Sequence, residues 1–200
     1  MSLPQDILST PAVPADLLPP DNVGRTSLIE SYEQGGVDLN DSSQGLQVKI
    51  WRARLVGGNI WVSGYPYSIE TLLISDIDIT ELSLSFNQNM TPYVAYIAGG
   101  QAKLYYYNTS MGSMDTMILD PSISSVYLTM DDKRAVATQL NWNDVLLFYI
   151  RSGLLCYREQ RESFAVERVL KTVVGLFPYI VKIGMNKSLR LQIELASLGT

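Results

Sequence analysis

From Leu46 onward the chain runs in short stretches of β-forming residues, alternating or continuous in hydrophobicity, broken by glycine and polar turns. The breaks recur every roughly 8 to 12 residues, which is the spacing of an all-β domain. The pattern predicts strands over 47–56, 59–64, 71–74, 81–87, 93–98, 102–108, 115–119, 125–130, 145–151, 154–160, 164–170, 179–183 and 189–196. In the last of these, Leu191, Ile193 and Leu195 alternate with Arg190, Gln192 and Glu194, which turns one face inward and the other to water. No helix is demanded, and 165–174 is the stretch that also reads as a short one.

Several of these strands belong to an internal repeat. Segments 51–62 (WRARLVGGNIWV), 93–107 (YVAYIAGGQAKLYYY) and 147–157 (LFYIRSGLLCY) each consist of an apolar strand, a glycine-centred turn and a second strand with an aromatic residue near its end. Gly58, Gly100 and Gly153 would supply the positive φ that tight hairpin turns require. Segment 180–195, turning through 184–187, is a degenerate fourth copy. Further strands flank the second and third hairpins, giving four strands per unit at intervals of roughly 40 to 50 residues, as in propeller blades. Two complete units and two partial ones fall short of the roughly four blades of the smallest common propellers. The expected fold class is therefore all-β, with repeated antiparallel hairpins in a propeller-like or a sandwich arrangement.

Residues 1–45 differ from this body. Five of the nine prolines (Pro4, Pro11, Pro14, Pro19, Pro20) fall in the first 20 residues, which predicts extended or irregular backbone. Seven acids stand against the single base Arg25 there, whereas 46–200 carry 14 bases and 13 acids. The expected organisation is an extended acidic arm over 1–45 and a β-hairpin repeat domain over 46–200. Ile7, Leu8, Val13, Leu17, Leu18, Leu28, Ile29 and Tyr32 give the arm more apolar side chains than an inert linker needs. They are candidate interface residues that order against a neighbouring subunit, unless the arm folds back on its own domain.

Charge and composition narrow the chemistry. With no basic block in either part, nucleic acid is not expected as the main partner. The chain has no histidine and one cysteine, which excludes His/Cys zinc sites, His-dependent triads and an intramolecular disulfide. Cys156 lies in an alternating apolar stretch and is expected to pack. Asp131, Asp132, Lys133 and Arg134 form the densest charged cluster, expected as a solvated turn. The mixed-sign run Arg151, Arg158, Glu159, Arg161, Glu162, Glu167, Arg168 and Lys171 is expected as a salt-bridged sheet face or a polar interface rim. No apolar run reaches the roughly 18 to 20 residues of a membrane span, and the start lacks the basic region of a signal peptide. No catalytic residue, metal or cofactor is expected, and no small-molecule ligand.

Ordered blocks along the chain carry a resemblance. They are Phe86-Asn87-Gln88-Asn89, 92–96 (PYVAY), 104–107 (LYYY), 130–134 (MDDKR), 144–153 (DVLLFYIRSG), 157–164 (YREQRESF) and 184–186 (GMN). Together, over 82–195, they resemble a module of virion tail proteins of double-stranded DNA bacteriophages. The resemblance implies a structural component of the tail or head-to-tail region, such as an adaptor, nozzle or fibre-attachment piece. Such a component assembles symmetrically in many copies with other virion proteins, is made in the host cytoplasm, and has no enzymatic activity. One alternative is a carbohydrate- or receptor-binding tail module using Tyr105, Tyr106 and Tyr107 with Trp51 and Trp61 as sugar platforms. A glycosidase built on Asp131 or Asp144 would need two carboxylates at a defined separation, and the sequence shows no such pair.

Overall fold

A computed structural model describes residues 25–37, 48–64, 70–87, 91–130, 145–173, 178–185 and 191–197. Apart from one 3-10 turn at Gln160–Glu162, the regular structure among these residues is all strand. The first sheet holds β1 (Arg25–Ser27), β2 (Glu30–Val37), β3 (Val48–Val56), β4 (Asn59–Gly64) and β5 (Thr71–Ser75), in that order. The second holds β6 (Ile79–Phe86), β7 (Pro92–Ala98), β8 (Gln101–Asn108) and β9 (Ser113–Ile118). The third holds β10 (Ile123–Met130), β11 (Val145–Arg151), β12 (Leu154–Glu159) and β13 (Arg168–Thr172), and the fourth pairs β14 (Pro178–Met185) with β15 (Leu191–Ser197). Every pairing is antiparallel between consecutive strands, so each sheet is an up-and-down meander.

The repeated hairpins take their shape from their turns. Gly57-Gly58, Gly99-Gly100 and Ser152-Gly153 have positive φ at both central positions, the conformation that matches the right-handed twist of the flanking strands. The glycines at the second position sit at φ 79, 74 and 75, as their spacing predicts.

Period-two alternation then assigns side chains to the spaces between sheets. On β7, Val94, Tyr96 and Ala98 join Ala53, Ile60 and Val62 of the first sheet in one core. Tyr93, Ala95 and Ile97, on its other face, join Val126, Leu128, Leu147 and Tyr149 of the third sheet in a second. Phe148, Ile150 and Leu155 meet Ile180 and Leu195 in a third. β6 is buried at every position from Glu81 to Phe86 because a sheet lies on each side of it.

The all-β expectation is met: the repeated hairpins form consecutive antiparallel meander sheets in a sandwich-like arrangement that is not a closed propeller. The first strands of successive sheets pack on one another, β2 on β6, β6 on β10 and β10 on β14, and β14 also approaches β1 of the first sheet. β1 and β2 lie within the stretch that the sequence assigns to an arm, yet β2 pairs along β3 from Glu30↔Arg54 to Val37↔Val48. The strand predicted over 164–170 is also corrected. Ser163 and Phe164 have φ 52 and 56, a left-handed geometry no strand residue adopts, and β13 starts only at Arg168.

The sheets are tied at their first strands. The Leu82 N–H donates to the Leu28 carbonyl at 2.8 Å, and the Leu84 N–H donates to Ser31 Oγ at 3.1 Å. One sheet further on, the Val126 N–H donates to Glu81 Oε1 at 3.0 Å and the Leu128 N–H to Ser83 Oγ at 2.9 Å. The Ile180 N–H donates to Ser125 Oγ at 3.1 Å. β6, β10 and β14 are edge strands of their own sheets, so each would otherwise bury unpaired backbone donors. Oxygens from the preceding sheet satisfy them, and β1 covers the corresponding edge of β2.

Candidate interaction surface

Of the eight apolar residues singled out in the sequence as an interface, Ile7, Leu8, Val13, Leu17 and Leu18 lie outside the described residues. The other three sit on the first sheet. Leu28 gives its carbonyl to β6 and Ile29 gives its carbonyl to the Leu55 N–H at 3.1 Å, which fixes the β1–β2 turn against its own domain. The Tyr32 hydroxyl donates to Glu30 Oε1 at 3.0 Å, and burial, with that carboxylate beside it, raises its pKa.

Ile29 nevertheless leaves its side chain 44% exposed. At the same end of the first sheet, Val56 is also 44% exposed, and Ile77, in the link to β6, is 77% exposed. The link is held there by the Asp76 N–H donating to the Gly58 carbonyl. Three exposed aliphatic side chains therefore mark the hairpin end of the first sheet, with Asp76 and Asp78 bracketing Ile77. The strand pattern did not single out Val56 or Ile77. The available signal was an isoleucine between two aspartates, an apolar residue in a polar turn where no core can take it.

The mixed-sign run forms an ion-pair network on the third sheet. Arg158 donates from Nε to the Tyr149 hydroxyl at 2.9 Å and from Nη1 to the Phe164 carbonyl at 3.2 Å, and pairs with Asp120. Glu167 receives the Tyr149 hydroxyl and pairs with Arg151. Arg168 pairs with Glu162 and approaches Glu159 at 3.8 Å, and its guanidinium lies 5.7 Å from the Tyr157 ring centroid. Burial, and next the bond to Glu167, push the Tyr149 pKa up. Tyr96 is pushed up to about 12, by burial first and then by Asp76. These tyrosines are held neutral, and the carboxylates around them are engaged with cations.

Residues 157–168 also clasp the third sheet to the second. Gln160 accepts from the Val145 N–H at 3.0 Å and donates to the Tyr93 hydroxyl at 3.1 Å. Phe164 packs between Tyr93 and Tyr106, with ring centroids 6.2 and 6.1 Å away.

The aromatic residues considered as a sugar platform turn largely inward. Tyr105 and Tyr106 pack against the cores on opposite sides of the second sheet, leaving Tyr107 37% exposed. The Trp51 ring lies 5.2 Å from that of Phe86. Cys156 is fully buried in the core between the second and third sheets, where burial raises its pKa. Asp131, Asp132, Lys133, Arg134 and Asp144 lie outside the described residues. Among those described, no three His, Cys, Asp or Glu side chains group to hold a metal ion. No helix among them is long and apolar enough to cross a membrane.

No protein-family model, curated protein or solved structure matches this chain.

Proposed function

We propose that this chain is a structural virion protein of a bacteriophage tail or head-to-tail region that works by protein–protein assembly and catalyses nothing. The reading rests first on the ordered sequence blocks over 82–195. The structural observation that supports it is where the side chains are spent. Charged groups of the third sheet lock into ion pairs with one another and with the link that enters it, while Ile29, Val56 and Ile77 stand exposed together at the hairpin end of the first sheet. That distribution suits a scaffold, because surface charge already paired within the chain leaves recognition to apolar contacts.

The partners are other virion proteins and further copies of this chain, and the site of action is the virion tail after assembly in the host cytoplasm. Within the arm, Ile7, Leu8, Val13, Leu17 and Leu18 are proposed to dock on a neighbouring subunit, with Ile29 at the root of the arm extending that contact. The test compares purified particles made with the full chain and with a chain lacking residues 1–24, which keeps β1 and β2. The shortened chain is expected to unfold at the same denaturant midpoint and to enter particles at least about tenfold less, a loss of about 1.4 kcal/mol or more of docking free energy. Incorporation at the full-length level sinks the docking role.

A further inference from the structure

We infer that Asp115 guards the outer strand β9 against pairing with another chain. An outer strand exposes a row of backbone donors and acceptors that another strand can join, and proteins blunt such edges with bulges or with charge. β5 joins β4 through a register shift between Ile60 and Trp61. β13 joins β12 through a shift between Leu155 and Cys156, and it carries Arg168 and Lys171. Both edges are bent and interrupted.

β9 has no such interruption. Its register on β8 runs unbroken from Lys103↔Ile118 to Asn108↔Ser113, and it shows Ile118 62% exposed. Unlike β5, β13 and β15, it keeps an unbroken register on its neighbour, so it is the outer strand best suited to accept another. The Leu119 N–H donates inward to the Ala102 carbonyl at 3.0 Å. By alternation along the strand, the N–H groups of Met114, Thr116 and Ile118 then turn toward the open side. The central one is already taken, because the Thr116 N–H donates to Asp115 Oδ1 at 2.8 Å. The carboxylate is held in place by the Asn108 side-chain amide, which donates to Asp115 Oδ2 at 3.2 Å.

A second copy of β9 pairing antiparallel at this edge would have to break that bond, and in the register that sets the two Asp115 residues opposite one another it would also bring two carboxylates together. Both cost free energy, since like charges on paired strands repel. With Asp115 removed, the edge offers a free donor flanked by Met114 and Ile118. The inference concerns this strand alone and stands whether or not the chain belongs to a virion.

The test is sedimentation equilibrium of Asp115→Val and Asp115→Ala beside the unmodified chain, with circular dichroism to establish folding. Any association of the unmodified chain enters every arm equally. Self-association is expected to tighten at least about tenfold in the folded variants, more for valine because it is the stronger strand former. Adding Thr116→Pro, which deletes the outward N–H, is expected to return the chain to its original state. Should Asp115→Val not fold, Asp115→Ala carries the comparison. Folded variants that associate no more than the unmodified chain overturn the inference, as does gained association that survives Thr116→Pro.

Discussion

Phe164→Ala is expected to destabilise the chain by about 3–5 kcal/mol, the range for truncating a buried phenylalanine. The side chain is 1% exposed and lies between Tyr93 and Tyr106 of the second sheet while its backbone belongs to the loop entering β13. Sheets that pack rigidly on either side cannot close over the space, so the cavity term adds to the lost burial. A domain's whole stability is about 5–15 kcal/mol, so the variant sits near the folding threshold. Phe164→Leu, which keeps most of the volume, is expected to lose under half as much. Urea unfolding of the two variants checks this, and a loss below about 1 kcal/mol for alanine would show that the loop does not depend on its anchor.

Glu81→Ala has the second largest expected effect, about 2–4 kcal/mol. Glu81 is 3% exposed, and one of its oxygens accepts both the Ser125 hydroxyl at 2.8 Å and the Val126 N–H at 3.0 Å. Alanine would leave both donors buried without that acceptor, at about 1–3 kcal/mol for each such group. Glu81→Gln keeps a carbonyl oxygen in place and is expected to retain most of the stability. Ser125 passes the connection onward, because its oxygen also accepts the Ile180 N–H. A double-mutant cycle of Glu81→Ala with Ser125→Ala is therefore expected to show coupling of about 0.5–3 kcal/mol. Simple additivity would contradict a continuous tie from the second sheet to the fourth.

Strands and hairpins were legible in the sequence wherever two requirements coincided, β-forming side chains and residues able to turn. The hairpins at Gly58, Gly100 and Gly153 meet both. β2 was not legible, because Glu30–Val37 reads ESYEQGGV, with no apolar period of its own. It forms a strand because β3 offers a partner edge. The stacking order was half visible, since repeat spacing shows that units follow one another but not whether the last meets the first. Phe164 looked like the start of a strand, as an apolar residue leading an apolar stretch, and nothing in its identity announces a left-handed turn. Of the candidate surface, Ile29 came from the sequence, whereas Val56 and Ile77 needed the turns to be placed. The serine ties left one trace, in LSLSF over 82–86. Of its two serines, Ser83 accepts the Leu128 N–H of the next sheet, whereas the buried Ser85 hydroxyl has no hydrogen-bond partner among the described residues.

Electron cryo-microscopy of purified particles carrying this chain tests the central claim most directly. The account predicts several symmetry-related copies of the stacked-sheet body in the tail or head-to-tail region, each with its N-terminal segment against a neighbouring subunit. Complete particles with no density for the chain, assembled equally well in its absence, would contradict it.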